Sequence, residues 1–313
     1  MAIKASQVKE LRELTGAGMM DCKKALTETD GDMDKAVEWL RENGMAKAQK
    51  KAGRIAAEGI VMFKSTDDGK KAAVVEVNSE TDFASKNETF REYVAQVADQ
   101  ALTTSAKDID AFLAEPWKFD TAKTVKEALD AEIAVISENM HIRRFAQVEE
   151  QNGFVATYNH ADGKIGVLVD VETDVVNDAV KEMAKNVAMQ IAAMRPQYTD
   201  NSEVPADYIQ KETEILRAAI MNDPKESQKP EKVIEGMLKG RVNKELKEIV
   251  LLDQVYVKAE DGKQSVAKYV EQVAKANSAK ITIKGFVRFE TGEGLEKKNE
   301  DFAAEVAAQA AGK

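Results

Sequence analysis

Histidine and cysteine, the side chains that most often carry zinc, proton-transfer or thiol chemistry, are nearly absent here. His141, His160 and Cys22 are all that 313 residues supply. A zinc site needs several imidazole or thiolate ligands, and acyl transfer needs a nucleophile beside a base; neither can be assembled from this inventory. Carboxylates are plentiful, with 55 Asp and Glu. They leave a carboxylate-based magnesium or glycosidase site open, though most acidic residues of such a chain are solvated surface. No Gly-x-x-x-x-Gly-Lys-Ser/Thr loop occurs, and Gly292-Glu293-Gly294 lacks the third glycine of a dinucleotide fingerprint, so it reads as a turn. The expectation is a protein with no metal and no cofactor of its own, and not an enzyme.

Three groups of residues stand out for recognition instead. Thr81-Asp82-Phe83-Ala84 sets an aromatic beside an aspartate. One reading is a helix cap, with Thr81 or Asp82 capping and Phe83 closing a hydrophobic staple; the other is a functional loop. Met19-Met20 follows Gly16-Ala17-Gly18 and fits either core filling or an adaptable contact surface. His160, two residues before a turn, fits either an ordinary surface histidine or a site residue. The basic stretch Lys47, Lys50, Lys51 and Arg54 reads as a solvated linker, with RNA contact the alternative.

The elements that position these residues can be read from periodicity. Residues 1–55 are helical: Ser6 as a cap with Val8, Leu11 and Leu14 on one face, a second helix from Met19, then Asp30-Gly31-Asp32 and a third helix closed by Gly44. Strands begin at Gly59. Ile60–Phe63 and Ala73–Val77 flank the turn Asp67-Asp68-Gly69-Lys70, and Gly153–Tyr158 and Ile165–Val171 flank Asp162-Gly163-Lys164. The two hairpins match at an offset of 94, from Gly59/Gly153 to Val77/Val171. Each runs into an apolar-faced helix, so an α+β core of two related hairpin-plus-helix halves is expected. Glu80-Thr81-Asp82 matches Glu172-Thr173-Asp174 at 92, which places two extra residues around Asn78-Ser79. Beyond Pro196 two narrow stripes, through Ile209, Leu216 and Ile220 and through Val233 to Val242, make an antiparallel helical hairpin. A strand at 249–257, a helix at 266–273, a strand at 281–289 and a terminal helix from Phe302 to Ala310 complete the pattern.

Net charge is −10, which does not suit a phosphate backbone as the main partner. No apolar run is long enough to span a bilayer, no secretory h-region is seen, and the single cysteine forms no intrachain disulfide. The expected location is the cytoplasm, without membrane or direct nucleic-acid contact.

Val8–Leu26, with Leu14-Thr15-Gly16-Ala17-Gly18-Met19-Met20-Asp21-Cys22-Lys23-Lys24 at its centre, resembles the N-terminal signature of the bacterial elongation factor Ts family, and Asn78–Ala84 is similar to its Thr-Asp-Phe-Val motif. Ile142-Arg143-Arg144, His160 with Ile165–Val169, and Gly285–Phe289 through Asp301–Val306 follow in order. Ala84 stands where valine is usual; it shortens one apolar contact and spares the Asp-Phe pair. The resemblance implies a ubiquitin-associated-like (UBA-like) module at 1–55 with its linker, core subdomains at 56–140 and at 141–205 with 247–289, a coiled-coil arm at 206–246, and a C-terminal module at 290–313. It implies elongation factor Tu as partner and exchange of its GDP for GTP as activity. By position, Asp82 and Phe83 would enter the partner's GTPase domain near Mg²⁺, Arg12, Met19 and Met20 would contact a helix of that domain, and His160 would lie on the core's partner-facing surface. The arm fits either a homodimer or a further protein. Two rivals remain on the residues alone: a binding adaptor needing only residues 1–55, and a carboxylate-based hydrolase.

Overall fold

Helices come first in the computed structural model, which describes residues 3–297. They are α1 (Ala5–Thr15), α2 (Met19–Glu28) and α3 (Met33–Lys51). Leu11, Cys22, Ala25, Leu26 and Ala36 are fully buried between them. Lys4, not Ser6, occupies the cap position of α1, while Asp32 caps α3 by accepting the Lys35 N–H. Gly44 does not end α3. It is buried, and a Cβ there would lie 3.6 Å from the Ala134 methyl. Close packing on the helix at 125–136 outweighs the roughly 1 kcal/mol that glycine costs a helix interior. Lys47, Lys50 and Lys51 are therefore helical.

The first sheet follows from β1 (Glu58–Ser65) and β2 (Lys71–Ser79), then a short α4 (Asp82–Lys86) and the long α5 (Glu88–Thr103). After α6 (Ile109–Ala114), the two-stranded β3 (Pro116–Trp117) and β4 (Asp120–Thr124), and α7 (Val125–Ile136), the chain returns as β5 (Met140–Glu149) on the open side of β2. The division expected at residue 140 thus meets a strand that pairs with the first hairpin. The second half repeats the plan: β6 (Gly153–His160), β7 (Ile165–Thr173) and α8 (Asp178–Met194), then an excursion through α9 (Ala206–Asn222) and α10 (Glu231–Ile249). It closes with α11 (Val266–Ala276) and β8 (Ile281–Glu290), which pairs with β7.

Alternation along the strands builds four layers. Ala73, Val75 and Val77 face α5 and α7, while Ala72 and Val74 face the other sheet. In the second half Val167, Val169 and Val171 face α8 and α11, and Leu168 meets Val61, Val74 and Phe289 between the sheets. A Cβ on Gly166 would approach Val61 Cγ1 to 2.5 Å, so glycine sets how closely the sheets stack.

The repeat is deeper in the backbone than in the sequence. β2 has a bulge at Glu76/Val77 and β7 has one at Asp170/Val171, again 94 apart. Asn78 pairs with Gly59 as Glu172 pairs with Gly153, so the offset of 94 holds through Ser79/Thr173. The Glu-Thr-Asp match at 92 is therefore not a structural equivalence. Ser79 lies eight residues before the Asn87 cap of α5, and Thr173 four before the Asn177 cap of α8. The extra residues follow Ser79 and form α4. Residues 249–257 are not a strand: α10 runs to Ile249, a 3-10 turn follows at Leu251–Asp253, and the backbone N–H of Leu251 donates to the Tyr198 carbonyl. The helix expected at 302–310 lies outside the described residues.

Candidate functional site

Thr81 is held from two sides. Its hydroxyl accepts the Ala84 N–H at 3.2 Å, which caps α4, and donates to Glu138 Oε1 at 2.7 Å. Its own N–H donates to Glu138 Oε2 at 3.0 Å. Next to it, Glu80 Oε1 accepts the Asn139 N–H at 2.6 Å, and Asn139 Nδ2 donates to the Arg54 carbonyl at 2.6 Å. Three chain segments, after α3, before α4 and after α7, are thereby tied together. The turn out of α7 is made by Ser137 at φ 67°.

On this base Phe83 points outward, 79% exposed. The capping reading holds for Thr81, but Phe83 closes no staple. Ala84 is buried beneath it. Asp82 is bridged by the Lys86 ammonium at 2.6 Å, which together with more distant Lys164 holds its carboxyl below the usual range. The same ammonium lies 5.7 Å from the Phe83 ring centroid, a distance suited to cation–π attraction. Beside the ring opens a cleft of about 480 Å³, with Ile55, Glu58, Thr81, Asp82 and Lys164 along its walls.

Lys164 and His160 come from the tip of the second hairpin. Arg91, on α5, donates to the Ser85 carbonyl through Nε and to Asp162 Oδ2 at 2.6 Å, and Lys164 reaches Glu58 at 2.6 Å. The tip between β6 and β7 is thus fastened to the α4–α5 junction. His160 is exposed at the end of β6, its Nδ1 3.0 Å from the Tyr158 hydroxyl. The structure brings His160's hairpin and Phe83 to one end of the double sheet.

Arg12, Met19 and Met20 lie on the helical unit. Met19 and Met20 form the first turn of α2 and are 60% and 73% exposed, which removes the core-filling reading; Leu14 beside them is 68% exposed. Arg12 is exposed in the last turn of α1. This loop also leans on α7: a Cβ at Gly16, whose φ is 68°, would lie 3.9 Å from Val135 Cγ2. Sequence reading missed Glu138, Arg91 and Lys164 as supports. The polar run Ser137-Glu138-Asn139 before an alternating strand was the signal available for the first.

Among the described residues, no His, Cys, Asp and Glu gather in a group able to hold a metal ion, and no helix is long and apolar enough to cross a membrane. An α+β scaffold that displays Phe83 beside an open cleft, and Met19 and Met20 on its helical unit, carries exposed apolar side chains suited to contact with another protein. The family model for elongation factor Ts matches residues 80–293. Over 307 residues the chain is 50% identical to elongation factor Ts of Clostridium tetani, covering 98% of this chain and 99% of that protein. It is 51% identical to that of Clostridium novyi over 98% of each, and 48% identical to that of Trichlorobacter lovleyi over 99% of each. The chain belongs to the elongation factor Ts family.

Proposed function

We infer that this chain is the guanine-nucleotide exchange factor for elongation factor Tu, binding the GDP-bound GTPase, disturbing its Mg²⁺ and phosphate site, and promoting GTP loading during translation elongation in the cytoplasm. The observation that carries the mechanism is Phe83, a large apolar ring standing free at the start of a helix that the sister half of the repeat lacks. Mg²⁺ bound to GDP demands near-octahedral geometry, so a ring wedged among the elements that support it disturbs the site at little displacement. Burying one phenylalanine yields about 1.5–3 kcal/mol, and coupling between two ligand sites is typically about 1–3 kcal/mol. The wedge is of the right size to contribute, with Asp82 beside it. Reciprocity follows: a factor that weakens GDP is weakened by nucleotide in turn, so GTP releases it without any bond being made.

We assign Arg12, Met19 and Met20 to a helix of the partner's GTPase domain, and His160 to the partner-facing side of the core. The three-helix unit is read as a UBA-like module, and α9–α10 as a coiled-coil arm that meets a second copy or a further protein. The test is release of fluorescent GDP from elongation factor Tu, by stopped flow, with and without this protein. Acceleration is expected, and Phe83→Ala should remove most of it while leaving the melting temperature unchanged. An unaltered release rate with Phe83→Ala would refute the wedge.

A further inference from the structure

The two surfaces assigned to the partner, around Met19–Met20 and around Phe83, have no side chain in common, yet both rest on the C-terminal end of α7. The α1–α2 loop approaches it at Val135, with Ala17, Asp21 and Ala134 around one small crevice. The loop before α4 meets it at Glu138. We propose that Glu138 is a positioning residue for exchange, fixing the angle at which α4 presents Phe83 relative to the methionine surface. The proposal rests on the wedge reading above.

Three features favour it. Glu138 spends both carboxylate oxygens on one residue, Thr81, taking its N–H and its hydroxyl. That leaves the Thr81 oxygen oriented to accept from Ala84 and hold the first turn of α4. The clasp is reciprocal, because Glu80 takes the N–H of Asn139 on the opposite strand of chain. Finally, α4 is a five-residue helix, too short to hold its own direction by internal hydrogen bonds, so its orientation has to come from outside. Charge-assisted bonds of this kind are directional and roughly twice as strong as neutral ones.

The test is a double-mutant cycle in fluorescent-GDP release from elongation factor Tu, with the full chain titrated to saturation. Glu138→Ala should lower the maximal release rate roughly tenfold, the loss expected when hydrogen bonds to a charged group are removed. The half-saturating concentration should stay within about twofold, because the methionine surface is untouched. Adding Glu138→Ala to Phe83→Ala should cost nothing further, since the carboxylate acts only through the ring. Equal losses in both backgrounds, or an unchanged maximal rate, overturn the proposal while leaving the wedge intact. A wild-type chain that fails to accelerate release overturns the wedge reading and this proposal with it. If Glu138→Ala does not fold, as judged by circular dichroism, the isosteric Glu138→Gln carries the same cycle with a smaller first loss.

Discussion

Asp170 and Glu76 occupy the same position of the repeat, at the bulge of the central strand, and the two acids are accommodated by different means. Glu76 is fully buried and accepts from Arg143 at 3.0 Å, Arg144 at 2.6 Å and the Gly292 N–H at 2.8 Å. Asp170 instead faces Glu150, with Lys284 3.3 Å from the Glu150 carboxylate and Glu172 further along β7. Asp170 Oδ1 finds no hydrogen-bond donor. Burial, then the Glu150 carboxylate, push Asp170 up to about 6. Glu150 is lowered: its own burial is outweighed by the Asn152 N–H, the proton on Asp170 and the Lys284 ammonium. An acid raised by folding holds a proton that the unfolded chain has released. Its contribution to stability therefore falls as pH rises from the ordinary 3.8 through about 6. Asp170→Asn should flatten that slope, and urea melts at pH 4.5 and pH 7 of both proteins check it; a steeper slope in the variant contradicts it. The paired glycines give a second test at this scale. A Cβ on Gly59 would strike the Val77 carbonyl, and one on Gly153 the Val171 carbonyl. Either alanine should cost about 1–3 kcal/mol or more through overpacking. Gly59→Ala should be the worse, because only Gly59 also has a positive φ, 121°.

At the scale of elements, the arm is energetically its own unit. Ile220, Ile234 and Leu238 form a cluster at its tip, separate from both main cores, and Tyr198, Val204, Ile249 and Val250 form another at its base. Ile220→Ala should cost about 2–5 kcal/mol locally, yet open the tip without unfolding the sheets. Hydrogen exchange should then quicken across α9 and α10 while α5 and α8 keep their protection. The hairpins, the helices after them and the arm were legible because each carries its own period and turn chemistry within a short window. What was not legible depends on distant partners. Arg143 and Arg144 look like exposed charge until Glu76, 67 and 68 residues earlier, is brought beneath them. The run at 249–257 is apolar enough for a strand, but the N–H groups of Leu251 and Leu252 donate to the carbonyls of Tyr198 and Thr199, and those of Asp253 and Gln254 turn back to Val250. At the candidate site, the sequence pointed to Thr81-Asp82-Phe83 by its break from the repeat; Glu138 offers only a polar run before a strand, and nothing local ties it to Thr81, 57 residues earlier.

Across the whole molecule the two halves share one interior. Val61, Ala72 and Val74 from the first sheet close on Val155, Leu168 and Phe289 from the second, and Arg144 lies 4.2 Å from the Phe289 ring centroid. Heat should therefore unfold both halves in one transition. Leu168→Ala should shift that transition downward as a whole, by an amount equivalent to about 2–5 kcal/mol. Differential scanning calorimetry decides, and two separated endotherms would show independent halves. The Gly292 amide that reaches Glu76 has a consequence for how this chain is made. A nascent chain has β1, β2 and β5 outside the ribosome soon after residue 149, but 143 residues must still be added before residue 292 exists. At about 5–20 residues per second that is roughly 7–30 s. Through that delay the acid has its arginines without the amide, and the layer between the sheets lacks Phe289. That is the interval in which a chaperone has most to shield.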